Sequence, residues 1–208
     1  MPVHMMMSGI IIAGGRSRRF GTDKRRLRLW GEQGPCLLER AVALLQPLCS
    51  EVLVVLNDAH AWPDLPARLV ADEQPGSGAL GGVISGLQAM QTPTALVIAA
   101  DMPVIVPALL AALAQWPFVG DALIPSSYPH PGQLQPLLAV YRHSALAPLR
   151  RVFAAGERRL QVAVTALHWV DPGPELWQMY DPTARSLLNL NTPDDLKLVQ
   201  AYLGTTNI

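Results

Sequence analysis

Gly14 and Gly15 close an apolar run, Gly9-Ile10-Ile11-Ile12-Ala13, and four cations, Arg16, Arg18, Arg19 and Lys24, follow within nine residues. Glycine removes the Cβ where backbone N–H groups must approach a ligand closely, and a row of such groups with cations beside it forms an anion cradle. A triphosphate fits that chemistry. A second residue stands in a comparable place: Asp101 directly follows Ala95–Ala100, the most apolar strand-like run in the chain. A carboxylate there is costly unless it meets a cation. Beside a triphosphate the natural cation is Mg²⁺, which takes one or two carboxylates together with phosphate oxygens. Taken alone, Asp101 reads either as that metal ligand or as a cap on the helix after Met102-Pro103.

The common phosphate loops do not match. A Walker loop needs glycine then lysine where Phe20 and Gly21 stand, and Gly14, Gly15 and Gly21 do not make the dinucleotide pattern G-x-G-x-x-G. A plain strand-to-helix turn with a solvated basic face needs neither two glycines nor so many cations. Seven of the 16 Lys and Arg lie between Arg16 and Arg28, with Asp23 the one acidic residue among them. Asn57 and Asp72 end two further strand-like runs and read either as base or ribose contacts or as turn and cap residues. Pro75-Gly76-Ser77-Gly78-Ala79-Leu80-Gly81-Gly82 is a second glycine-rich loop.

These residues need a scaffold that brings strand ends together. Gly9–Ala13, Glu51–Leu56, Ala67–Ala71 and Ala95–Ala100 read as buried strands. Helical patterns alternate with them over 35–48, 80–90 and 106–115. Such alternation implies right-handed βαβ units, an α/β fold and a mainly parallel sheet. Gly14, Asn57, Asp72 and Asp101 then share one edge of the sheet, where open α/β folds bind ligands. The second half is less regular: strands over 122–125, 136–141 and 167–170, helical material over 144–155, a short apolar piece over 188–190, and a last helix from Thr192 to about Leu203.

A chain of 208 residues suits one domain, with a ligand-binding part over about 9–115 and a second part over about 116–203. Lys+Arg and Asp+Glu are 16 each, so no overall field favours nucleic acid or a membrane surface. Cys36 and Cys49 read as core residues and the five histidines as structural or exposed. The start of the chain lacks a cationic n-region, and Asp101, Pro103 and Pro107 interrupt the longest apolar stretch. A cytoplasmic protein is expected.

Ile12-Ala13-Gly14-Gly15-x-Ser17-x-Arg19-Phe20-Gly21-x-Asp23-Lys24 resembles the motif L-A-G-G-x-S-x-R-M-G-x-D-K of the molybdenum cofactor guanylyltransferases. Ile12 replaces Leu and Phe20 replaces Met. Ala100-Asp101-Met102-Pro103 is similar to that family's metal-binding D-M-P. Gly76–Gly82 is similar to its G-x-G-P-L-G-G, with Ala79 for proline, and Gln135-Pro136-Leu137 to its Q-P-L. Asn189-Leu190-Asn191-Thr192-Pro193 is similar to its N-x-N-T-P.

The resemblance implies a three-layer Rossmann-like fold of nucleotidyltransferase type. It implies transfer of GMP from GTP to molybdenum-molybdopterin with release of pyrophosphate. Ile12, Ala13, Gly14, Gly15, Lys24, Asn57, Asp72, Gly78 and Asp101 then contact the nucleotide, Arg19, Lys24 and Asp101 are catalytic, and Asp101 binds Mg²⁺. Gln135, Asn189 and Asn191 face the molybdopterin-type acceptor, and transient contact with molybdoenzymes or cofactor-assembly proteins is implied. The cytidylyl branch reads A-A-G at 13–15 and carries aspartates at 189 and 191, so this chain favours GTP. A sugar- or polyol-phosphate nucleotidyltransferase and a non-catalytic nucleotide-binding module are the alternatives.

Overall fold

The computed structural model describes residues 6–14, 23–74, 76–129 and 132–204. Strand β1 (Met7–Ile12) is buried at all six positions. It lies between two parallel partners, β2 (Glu51–Val55) and β4 (Thr94–Ala99), with Ile10 opposite Leu53 on one side and Val97 on the other. Strands covered on both faces read as unbroken apolar runs, which is why Ile-Ile-Ile, Val-Leu-Val-Val and Ala-Leu-Val-Ile occupy the centre. The short β3 (Arg68–Val70) extends the sheet beyond β2, again in parallel.

Beyond β4 the direction changes. Strand β6 (Leu138–Arg142) is antiparallel to β4 and to β5 (Ala122–Leu123), and β7 (Trp169–Val170) runs parallel to β5. Among the described residues the seven strands form one sheet in the order β3-β2-β1-β4-β6-β5-β7. Alternate side chains of each strand enter opposite layers. Ile11, Val54 and Ile98 pack with residues of α1 (Leu37–Leu45), α3 (Pro107–Gln115) and α6 (Pro174–Tyr180), including Leu45, Leu110 and Trp177. Ile10, Leu53 and Val97 pack with α2 (Gly78–Ala89), α4 (Leu146–Ala154) and α5 (Leu160–Ala163), including Leu87, Leu149 and Leu160. Each such side chain taken out of water stabilises the fold by roughly 1.5–3 kcal/mol before entropy is counted. The result is the three-layer α/β fold with a mainly parallel sheet that the strand spacing implies.

Helix α2 sits unusually close to the sheet. A Cβ at Gly86 would stand 2.6 Å from Ile10 Cγ2, and one at Gly82 would stand 3.2 Å from Ile12 Cγ2. Two glycines of this segment therefore serve helix-on-strand contact, beside any role at a ligand.

A third cluster is smaller. Leu37, Val104, Leu190 and Val199 are buried together, with Leu27, Leu29, Leu188 and Leu196 packed against them. Val199 and Leu196 come from α7 (Pro193–Gly204). The start of α7 is fixed by reciprocal bonds: Asn191 N and Thr192 N donate to the Asp195 carboxylate at 2.8 and 2.7 Å, and Asp195 N donates to Thr192 Oγ1 at 3.3 Å. That is a capping box.

The structure departs from the sequence reading at particular places. Helix α6, only seven residues long, lies where the sequence reading places no element. The short apolar piece over 188–190 joins no strand ladder and is tied to the sheet edge by Leu190 N donating to Asp101 O at 2.8 Å. Strand β5 stops at Leu123, two residues short of Pro125. Cys36 and Cys49 are buried and unpaired, and burial pushes the Cys49 thiol up to about 12. Among the described residues no helix is long and apolar enough to cross a membrane.

Candidate active site

Because β1 to β4 are mutually parallel, Gly14, Asn57, Asp72 and Asp101 all lie just past strand ends on one edge. Backbone bonds carry the pairing past the strands: Ala13 N donates to Val55 O and Ala100 N to Ile12 O, both at 3.0 Å. Antiparallel β6 adds its beginning to the same edge, since Leu138 stands opposite Ile98.

After the glycine loop the chain returns at Asp23 and makes a short 3₁₀ turn, Lys24–Arg26, capped by the Asp23 carboxylate. Among the described residues Lys24 reaches three oxygens from this turn. Its ammonium donates to Asp101 Oδ2 at 2.8 Å, to Asn191 Oδ1 at 3.0 Å and to Leu190 O at 3.1 Å. The Lys24 and Asp101 side chains are only 17% and 24% exposed, so water screens the pair partly. The third hydrophobic cluster explains the convergence. Leu27 and Leu29 follow Lys24, Val104 follows Asp101, and Leu188 and Leu190 flank Asn189 and precede Asn191. Burying that one cluster brings three distant segments to a point.

Arg25, the neighbour of Lys24, faces the opposite way. Its guanidinium donates from Nε and Nη2 to both Asp23 oxygens, at 2.8 Å each, and from Nη1 and Nη2 to the Asp58 oxygens at 2.8 and 2.5 Å. Nη1 also reaches Ala13 O at 3.4 Å, and the group lies 5.6 Å from the Trp62 ring centre. Burial opposes the charge on Arg25, but the bonds to Asp58 and Asp23 outweigh it and raise its pKa. In return Arg25 holds the Asp23 and Asp58 carboxyls below their ordinary values. The basic cluster thus has acidic counterparts in Asp58 and Asp101 that are remote in sequence. Sequence reasoning passed over Arg25, Asp58 and Trp62, since nothing local marks residues 25 and 58 as partners.

The other expected residues fall as follows. Gly14 is exposed, and a Cβ there would meet nothing within 4 Å, which leaves open space beside the end of β1. Ile12 and Ala13 are buried under that edge. Asn57 Oδ1 accepts from Asp72 N at 3.2 Å, so these two organise each other. The Asp72 carboxylate accepts from Ser77 Oγ at 3.0 Å and Gln74 N at 3.1 Å, which is cap chemistry ahead of α2. Asp72 also borders a cavity of about 340 Å³ between α2 and α4, lined further by Ser85, Arg150, Phe153 and Arg158. Neither Lys24 nor Asp101 lines that cavity. Gly78 opens α2 at φ +72°, with open space where a Cβ would stand. Gln135 precedes β6, and its side-chain amide donates to Ser127 Oγ. Asn189 and Asn191 are both exposed while Leu190 is buried, so the two amides share the outer side; Asn189 Nδ2 donates to Leu187 O at 3.2 Å. Only Asn191 of this pair meets Lys24. Gly15 and Arg19 lie outside the described residues.

The donor set suits a hard cation completed by a ligand's own oxygens. Among the described residues no group of three or more His, Cys, Asp or Glu could enclose a metal. One carboxylate beside the open space at Gly14 fits a cation that keeps waters and takes phosphate oxygens.

Residues 9–170 match the model of the MobA-like NTP transferase domain family. The chain belongs to that family. It is similar to a probable molybdenum cofactor guanylyltransferase of Mycobacterium avium, with 32% identity over 202 residues covering 95% of this chain and 97% of the relative. A probable molybdenum cofactor guanylyltransferase of Natranaerobius thermophilus is 27% identical over 210 residues, covering 96% and 98%. Among solved structures it resembles the molybdopterin-guanine dinucleotide biosynthesis protein A of Archaeoglobus fulgidus, with TM-score 0.78 and 28% identity over 96% of this chain and 100% of the other. The family match spans β1 to β7; Leu190 and Asn191, which complete the Lys24 site, lie beyond it.

Proposed function

We propose that this protein is a molybdenum cofactor guanylyltransferase, which moves GMP from GTP onto a molybdenum-molybdopterin acceptor. A terminal phosphate oxygen of the acceptor attacks the α-phosphorus of GTP. A new P–O bond forms, the bond between the α-phosphorus and its bridging oxygen to the β-phosphorus breaks, and pyrophosphate leaves. No side-chain nucleophile is required, so the protein's part is positioning and charge neutralisation. The observation that carries this reading is the ammonium of Lys24 held 2.8 Å from Asp101 Oδ2 at the end of β4, beside the glycine end of β1.

In this reading the phosphates lie along the backbone of Gly14 and Gly15, above Ile12 and Ala13. Lys24 and Arg19 offset the charge that grows on the leaving pyrophosphate. Asp101 holds Mg²⁺, which when bound withdraws electron density from the phosphate oxygens. Asn57, Asp72 and Gly78 line the nucleoside side, within a nucleotide-binding part over about 9–115. Gln135, Asn189 and Asn191 face the acceptor, within a part over about 116–203. Asn191 also helps seat Lys24, through its Oδ1 at 3.0 Å from the ammonium.

The test is to incubate the protein with Mg²⁺, molybdenum-loaded molybdopterin and each of the four ribonucleoside triphosphates in turn, measuring pyrophosphate. GTP should be the best donor. Better use of CTP would assign the chain to cytidylyl transfer, and no turnover with any of the four would sink the reading.

A further inference from the structure

Arg25 is the most heavily bonded side chain in the described region of the site. It gives four bonds to two carboxylates, one to the end of β1, and lies 5.6 Å from the Trp62 ring centre. Its side chain is 13% exposed. The three things it ties are the exit of the glycine loop (Asp23), the last carbonyl before that loop (Ala13 O) and the turn after β2 (Asp58 and Trp62). Arg25 therefore bonds directly to Ala13 and to Asp23, which stand on either side of residues 15–22 in the sequence. Its guanidinium is used up by these bonds, so it is not the charge that meets a ligand. Lys24, on the other side of the same 3₁₀ turn, points at Asp101 and Asn191.

We infer that Arg25 is a positioning residue for triphosphate binding. Clamped by Asp23 and Asp58, it fixes the turn that aims Lys24. The inference rests on the proposed reading only in taking Lys24 as a phosphate contact. The physical basis is the planar fork of arginine. Two bidentate pairs fix both the position and the plane of the guanidinium, whereas an ammonium at the same place would be a point charge without that orientation. Geometry and charge therefore make opposite demands on the variants. Asp58→Asn removes a negative charge near the phosphate site, so on charge alone triphosphate binding tightens. If Asp58 matters as the anchor of Arg25, binding weakens. Arg25→Lys keeps the charge and loses the fork.

The experiment titrates wild type, Arg25→Lys and Asp58→Asn with GTP, inorganic triphosphate and guanosine, and records melting temperatures alongside. For both variants the affinity for GTP and for inorganic triphosphate should fall about tenfold, as for the loss of one charge-assisted contact, with guanosine affinity unchanged. Asp58→Asn keeps the Asp23 pair, so a folded protein is available for the measurement. Unchanged triphosphate affinity in Arg25→Lys, or tighter binding in Asp58→Asn, would overturn the inference. A merely structural tie would lower the melting temperatures and leave triphosphate affinity alone, which also overturns it. Wild type that binds inorganic triphosphate but not GTP sinks the guanylyl reading while the variants still decide the role of Arg25. Wild type that binds neither removes both.

Discussion

Lys24 and Asp101 stand 77 residues apart in sequence and 2.8 Å apart in space, ammonium to carboxylate, at the end of the central strands. The pair is neutral as it stands. In the proposed reading a triphosphate with its metal would bring both signs of charge to the same point, and each partner would then have a further counter-charge to meet.

Replacing Asp101 by Asn should abolish metal-dependent turnover, by about two orders of magnitude or more, the scale seen when one preorganised electrostatic group is lost. The fold should survive, because the bond that Leu190 N makes is to the Asp101 carbonyl, not its side chain. Pyrophosphate release and a melting curve check both halves. Near-normal turnover would leave Asp101 only a turn residue.

Lys24→Ala should cost ~1.5–3 kcal/mol of GTP binding, the range for hydrogen bonds to charged groups, or about tenfold and more in affinity. Guanosine should bind almost as before. An equal loss for GTP, GDP and guanosine would show that Lys24 touches no phosphate.

The glycines separate into two classes that alanine can distinguish. At Gly86 the new methyl meets Ile10 Cγ2 at 2.6 Å inside a packed interface, so Gly86→Ala should destabilise by about 1–3 kcal/mol despite the better helix propensity of alanine. At Gly14 it meets nothing within 4 Å, so Gly14→Ala should leave the melting temperature alone and weaken triphosphate binding. Melting and titration of both variants read the contrast; a stable Gly86→Ala or a fully binding Gly14→Ala would contradict it.

Acid should loosen the clamp around Arg25. Asp23 and Asp58 ordinarily titrate near 3.8, and in the fold hydrogen bonds from Arg25, the largest effect on each, hold both lower. A lowered carboxyl pKa stabilises the fold fully above its unfolded value, about pH 4, and the contribution is lost as pH falls through the folded values. Melting temperature followed from pH 7 to pH 3 should fall in that acid range, and fall less steeply in Asp58→Asn. Parallel curves would show that the clamp adds no acid sensitivity.

The parallel half of the sheet was legible because Ile10-Ile11-Ile12, Val52-Leu53-Val54-Val55 and Ala95–Ala99 are covered on both faces and carry almost no polar residue. The strand ends then had to fall on one edge, which puts Gly14 and Asp101 together from the sequence alone. What the sequence hid were partnerships set by burial far away. Arg25 looked like one cation among seven, and only the return of the chain after β2 brings Asp58 to it. Asn191 could be placed beside Asn189 but not beside Lys24, because that contact depends on Leu188, Leu190 and Val199 sharing a core with Leu27 and Val104. Helix α6 stayed hidden for a simpler reason: Leu176 and Trp177 are its only buried residues, too few to make a period.

The seat of Lys24 has a consequence for how the protein comes into being. Chains emerge from the ribosome N-terminus first, and domains begin to fold as they do. Strands β1 to β7 and Asp101 all precede Leu190 and Asn191, each of which supplies an oxygen to the ammonium. A nascent chain can therefore build the seven described strands while the seat is still open, and the segment just before α7 is the one that shuts it. The seat of Lys24 closes only after the last described strand, through a segment that adds none itself.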